Sequence, residues 1–74
     1  MTVEIRVTPW RQIGPTLSYR IWQRRTGHRM DQREEYLHAD GRQFFESDWL
    51  TAPDHWAKGA TVVHTIMSPA MASA

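Results

Sequence analysis

Few residues in this chain have the chemistry for catalysis, and their spacing decides what they can do. Zinc needs three or four ligands brought together, usually with at least one close pair. The four histidines, His28, His38, His55 and His64, come no closer than nine or ten residues, and the chain has no cysteine. His38 and His64 can meet only across a sheet. Asp54-His55 has the composition of an acid–base dyad, but neighbours on a helix do not face each other. Glu34-Glu35 offers paired carboxylates, yet adjacent strand residues point to opposite faces and adjacent helix residues diverge, so the two-carboxylate geometry of a glycosidase is not implied. Ser18, Ser47, Ser68 and Ser73 have no partnered base in a nucleophile motif. The glycines at 14, 27, 41 and 59 are single, unlike a phosphate-cradling loop. These residues predict a protein that is not an enzyme and holds neither metal nor cofactor.

The residues suited to binding are more concentrated. In Tyr19-Arg20-Ile21-Trp22-Gln23-Arg24-Arg25, a strand places Arg20, Trp22 and Arg24 on one side and Tyr19 and Ile21 on the other. Trp22 is then either covered by another element, with the arginines reaching outward along its rim, or exposed in a cation–π ladder open to a partner. An exposed ladder, extended by Arg25 and Arg29, would suit unpaired nucleic-acid bases and phosphates. Tryptophan and arginine are equally the residues that dominate protein–protein hot spots. Eight of the nine basic residues are arginine, the side chain with a planar fork for carboxylate and phosphate.

Charge is unevenly distributed. Residues 1–33 hold seven arginines against Glu4 and Asp31, or +5, and residues 34–74 hold Arg42 and Lys58 against six acids, or −4, giving the net +1. Either the halves neutralise each other across strands or they form two charged surfaces. In the second case Glu34, Glu35, Asp40, Glu46, Asp48 and Asp54 form an acidic surface that repels a phosphate backbone and suits a basic groove on a protein. Protein binding is therefore the first expectation and direct nucleic-acid binding through Arg20, Trp22, Arg24, Arg25 and Arg29 the second.

The elements that must position these residues belong to one small domain, residues 1–67, with 68–74 expected as a flexible tail. Val3, Ile5 and Val7 alternate with polar residues as a strand ending near residue 8 at Pro9 and resuming weakly at Trp10. A second strand spans about 16–25, with Leu17, Tyr19 and Ile21 inward. Residues 29–35 fit a short helix or an exposed strand. Asp40-Gly41 predicts a two-residue hairpin turn that sets Leu37 against Phe44 and Tyr36 against Phe45. Pro53 and Gly59 bracket a short helix over 53–58, and residues 60–67 form a final strand with Val63 and Ile66 inward. The sum is an α+β fold: a small, mostly antiparallel sheet of four to five strands with one short helix. The absence of cysteine, of a secretory leader pattern and of any long apolar run predicts a soluble protein in the cytoplasm of a bacterial host, with no membrane partner.

In whole-chain character, being very short, cysteine-free and motif-free with the acidic stretch REEYLHADGRQFFESDWLTAPDHW, the sequence resembles the small inhibitors carried by phages and mobile elements, including anti-CRISPR proteins. That resemblance implies a non-enzymatic protein-binding inhibitor that docks on a nucleic-acid-handling complex, such as a CRISPR surveillance complex, and blocks its access to target DNA. Many DNA-mimicking inhibitors are strongly acidic overall, whereas this chain carries +1. The implied mechanism is thus a steric block at one local basic site, with the six acids occupying its lysines and arginines.

Overall fold

The computed structural model describes residues 2–66, and the tail expected at 68–74 lies outside them. Seven strands form a single sheet: β1 (Val3–Val7), β2 (Arg11–Gly14), β3 (Leu17–Thr26), β4 (Arg29–His38), β5 (Gln43–Phe45), β6 (Leu50–Thr51) and β7 (Thr61–Ile66). The order is β5-β4-β3-β1-β7, with β2 also beside β3 and β6 also beside β4. Every pairing is antiparallel. The fold is therefore all-β rather than α+β, since no helix occurs among the described residues. Residues 52–60 are an irregular strap in place of the helix expected over 53–58. That segment lacks a full amphipathic turn, and its backbone groups find partners on the sheet instead of within a helix.

Two breaks divide longer strands. Pro9 cannot donate to a ladder and separates β1 from β2, both of which pair with β3. A bend at residues 46–48 separates β5 from β6, both of which pair with β4. The central β3–β4 hairpin is uninterrupted over ten residue pairs, from Thr26↔Arg29 to Leu17↔His38. Its turn is Gly27-His28, where Gly27 supplies the positive φ of 61° that a two-residue hairpin turn needs at its first position. Residues 29–35 are thus strand.

The second hairpin differs from its expected register by one residue. Tyr36 faces Phe44, Glu35 faces Phe45 and Leu37 faces Gln43. The loop holds three residues, Ala39 to Gly41, because the His38 amide donates to the Arg42 carbonyl at 2.8 Å and Gly41, with φ of 94°, closes a turn onto the His38 carbonyl at 2.9 Å. One extra loop residue exchanges the faces of every side chain in β5.

A lone sheet has two faces to protect and little apolar material for it. Val7 and Met30 are the only buried apolar residues among those described, while Gln23, Asp31 and Glu35 are the buried polar ones. The strap crosses from β6 to β7 over the face that carries Tyr19, Ile21, Gln23 and Met30. The side chain of Gln23 holds it there, donating to the His55 carbonyl at 3.1 Å and accepting from the Ala57 amide at 2.7 Å. Arg25 adds an ion pair to Asp54 at 2.6 Å, and the Arg6 and Arg25 guanidiniums lie over Trp56 at 4.2 and 5.4 Å. Contrary to expectation, Val63 is 47% exposed: β7 is an edge strand whose valines are both half exposed, and a bulge between the pairs Ile5↔His64 and Arg6↔Val62 leaves Val63 without an opposite residue.

Candidate functional site: an arginine–tryptophan face

The face opposite the strap is built from the β3–β4 register. Cross-strand partners share a face, so Arg20↔Glu35, Trp22↔Arg33, Arg24↔Asp31 and Thr26↔Arg29 form four consecutive rows. Two of these rows, Arg20–Glu35 and Arg24–Asp31, set a guanidinium opposite a carboxylate. Glu35 Oε1 accepts from Arg20 Nε at 2.7 Å and Trp22 Nε1 at 2.9 Å, and its other oxygen accepts from Gln43 at 3.4 Å. Asp31 takes Arg24 at 3.1 Å on one oxygen and Arg29 at 3.0 Å on the other. Burial alone would raise the Asp31 pKa; the hydrogen bonds and charges of the two arginines outweigh it and hold the carboxyl below its ordinary 3.8.

Aromatic rings interleave with the guanidiniums. Arg20 lies over Trp10 at 4.3 Å and over Trp22 at 5.0 Å. Trp22 meets Phe45 edge-on at 6.4 Å between centroids. Arg33 sits 3.7 Å from the Phe45 ring and 4.6 Å from Trp49, which Arg24 also covers at 4.5 Å. The result is a ladder of three tryptophans, one phenylalanine and three arginines, a packed surface that substitutes for an apolar second layer. Trp22 is thus half-buried: its indole N–H is committed to Glu35 and its ring lies among arginine and phenylalanine. Arg33 differs from its neighbours. No carboxylate pairs with it among the described residues, and its Nε is buried without a hydrogen-bond partner. Four guanidiniums (Arg20, Arg24, Arg29, Arg33) against two carboxylates (Asp31, Glu35) leave this face with two excess positive charges.

Of the expected basic set, the structure brings Arg20, Trp22, Arg24 and Arg29 to this face and puts Arg25 on the strap face, paired with Asp54. The six acids do not share one surface. Glu35 is buried within the arginine face. Glu34, one residue away, points to the strap face, where the Tyr36 hydroxyl donates to it at 2.8 Å and also contacts Glu46 at 3.1 Å. Those carboxylates, with burial, push the Tyr36 hydroxyl far above its ordinary pKa of 10, so it stays protonated. Asp40 sits in the hairpin loop bound to Arg42, Asp54 is in the strap, and Asp48 lies exposed in the 46–48 bend. Two of the ion pairs, Arg20–Glu35 and Arg25–Asp54, join the basic half to the acidic half, so the halves are neutralised only in part.

Sequence reasoning missed Trp10, Arg33, Phe45 and Trp49. For Arg33 the signal was available in Gly27-His28: read as a two-residue turn, it fixes Thr26 opposite Arg29 and thereby sets Trp22 against Arg33, between the rows Arg24–Asp31 and Arg20–Glu35. His38 and His64 do not meet, because β4 and β7 are separated by β3 and β1. Among the described residues no group of three or more histidines and acids could hold a metal ion, and no helix is long and apolar enough to cross a membrane. Comparison with protein-family models, curated proteins and solved structures finds no match to this chain.

Proposed function

We propose that this chain is a non-catalytic binding protein whose arginine–tryptophan face docks on an acidic surface of a protein partner. The observation that carries this reading is Arg33: a guanidinium held between two aromatic rings, on a face with two surplus positive charges, and with no carboxylate among the described residues. Tryptophan and arginine in fixed rotamers lose little freedom on association, which favours tight binding. A protein carboxylate completes the pairing that Asp31 and Glu35 provide for the other arginines.

Single-stranded nucleic acid is the second reading, favoured by the same unpaired arginine beside Trp49. It is second because Trp10, Trp22 and Trp49 each already carry a guanidinium, which competes with a base for the ring. The narrower inhibitor reading, in which acids block DNA access at a basic site, draws on Glu34, Glu46 and Asp48, the three of the six that form no ion pair among the described residues. Titration by NMR with a glutamate-rich peptide and, separately, with a ten-nucleotide thymidine strand tests the choice. The peptide is expected to shift the Arg29, Arg33 and Trp49 resonances. Shifts from the oligonucleotide alone, with a steep loss of affinity in salt, would transfer the face to nucleic acid.

A further inference from the structure

On the strap face, the strap and the β1–β2 break flank an open-sided cleft of about 540 Å³, lined by Trp10, Arg11, Tyr19, Ile21, Ala57 and Lys58 among others. Its volume falls within the range of small-molecule sites, and its walls are the apolar and aromatic type such sites use, with a few polar groups to fix orientation. The two cations are the distinguishing feature. Arg6, Arg20, Arg24, Arg25, Arg29 and Arg42 all have carboxylate partners, whereas Arg11 and Lys58, like Arg33, have none among the described residues. Two of these three unpaired cations, Arg11 and Lys58, line this one cavity.

Each cation is placed by backbone structure. Arg11 stands opposite Tyr19 in the β2–β3 pairing, which puts it on the strap face. Lys58 sits in a turn closed by the Ala60 amide donating to the Ala57 carbonyl at 3.1 Å, beside Gly59 at φ of 83°. Gly59 faces the Pro9 ring, 3.4 Å from where a Cβ would sit, so this part of the strap lies beside the strand break that forms the opposite wall.

We infer that this cavity binds a small aromatic anion, its flat ring against Tyr19 and Ile21 and its carboxylate or phosphate between Arg11 and Lys58. The charge requirement follows from two cations with no counter-charge; the ring requirement follows from the apolar walls, which a bare inorganic ion leaves unused. The site opens on the opposite sheet face from Arg24, Arg29 and Arg33 and shares only Trp10 with the arginine–tryptophan ladder, so the two are tested by different substitutions.

Calorimetric and NMR titrations of the full chain with phenyl phosphate, benzoate and inorganic phosphate test the inference. Saturable shifts at Arg11, Tyr19 and residues 57–59 are expected with phenyl phosphate or benzoate, and the stronger of the two identifies the anionic group. Inorganic phosphate should bind at least about tenfold more weakly, and Arg11→Gln and Lys58→Gln should each weaken the aromatic anion by about tenfold, the effect of one charge-assisted hydrogen bond. Both residues are exposed, so neither substitution endangers the fold. Equal binding of inorganic phosphate, unchanged affinity in both variants, or no saturable shift with either aromatic anion would overturn the inference.

Discussion

The two faces of this sheet are closed by different means. The strap face is covered by chain arriving from elsewhere, residues 52–60, anchored through the buried Gln23 side chain. The arginine–tryptophan face is closed mainly by long side chains of β3 and β4, whose neighbours are set by their register, with Trp10, Phe45 and Trp49 added from the flanking segments. Non-local cover can lift away while the strands beneath stay paired; local cover goes only when the hairpin itself opens. A small chain with only two buried apolar residues among those described thus relies on polar anchors, and their loss should affect the two faces unequally.

The largest effect should come from Asp31→Ala. It removes a carboxylate only 2% exposed together with its two charge-assisted hydrogen bonds, from Arg24 and Arg29; because those arginines are 33% and 67% exposed and stay solvated, a loss of about 3 kcal/mol is expected in urea denaturation. The pH dependence has the same origin. Because the folded pKa of Asp31 lies below 3.8, its contribution is complete above about pH 4 and disappears as pH falls through that lowered value. Thermal melts should show this acid loss in the parent chain and a reduced one in Asp31→Ala.

Gln23→Ala should follow, at about 1–3 kcal/mol, since the two hydrogen bonds that anchor the part-buried strap backbone are lost. Hydrogen exchange should accelerate at the Ala57 amide while β3 and β4 remain protected; equal acceleration in both would show that the faces do not separate. Gly59→Ala should cost about 1–2 kcal/mol, because its φ of 83° disfavours any Cβ. Tyr36→Phe should cost about 1 kcal/mol, removing a donor to Glu34 without touching the arginine–tryptophan face.

Much of the sheet is legible in the residues. The alternation of Val3, Ile5 and Val7, the run from Leu17 through Arg25 and the β-branched residues of β7 all lie in strands. The helix over 53–58 was misread because Pro53 and Gly59 punctuate a strap as well as they cap a helix, and its real stabiliser, Gln23, lies some thirty residues earlier. The β4–β5 register was misread because Asp40-Gly41 fits both two- and three-residue loops, and only the His38–Arg42 hydrogen bond decides between them. The arginine–tryptophan face was partly legible in Arg20-Ile21-Trp22-Gln23-Arg24. Phe45 and Trp49 were not, because their placement depends on the loop length and bend that bring the edge strand across.

The most direct test of the binding account is the affinity of a glutamate-rich peptide for three chains: the parent, Arg33→Gln and Arg42→Gln, the last altering an exposed arginine in the distant hairpin loop. Arg33→Gln should weaken binding by about tenfold or more, and Arg42→Gln should leave it unchanged. Equal affinities across all three would contradict the assignment of partner binding to the arginine–tryptophan face.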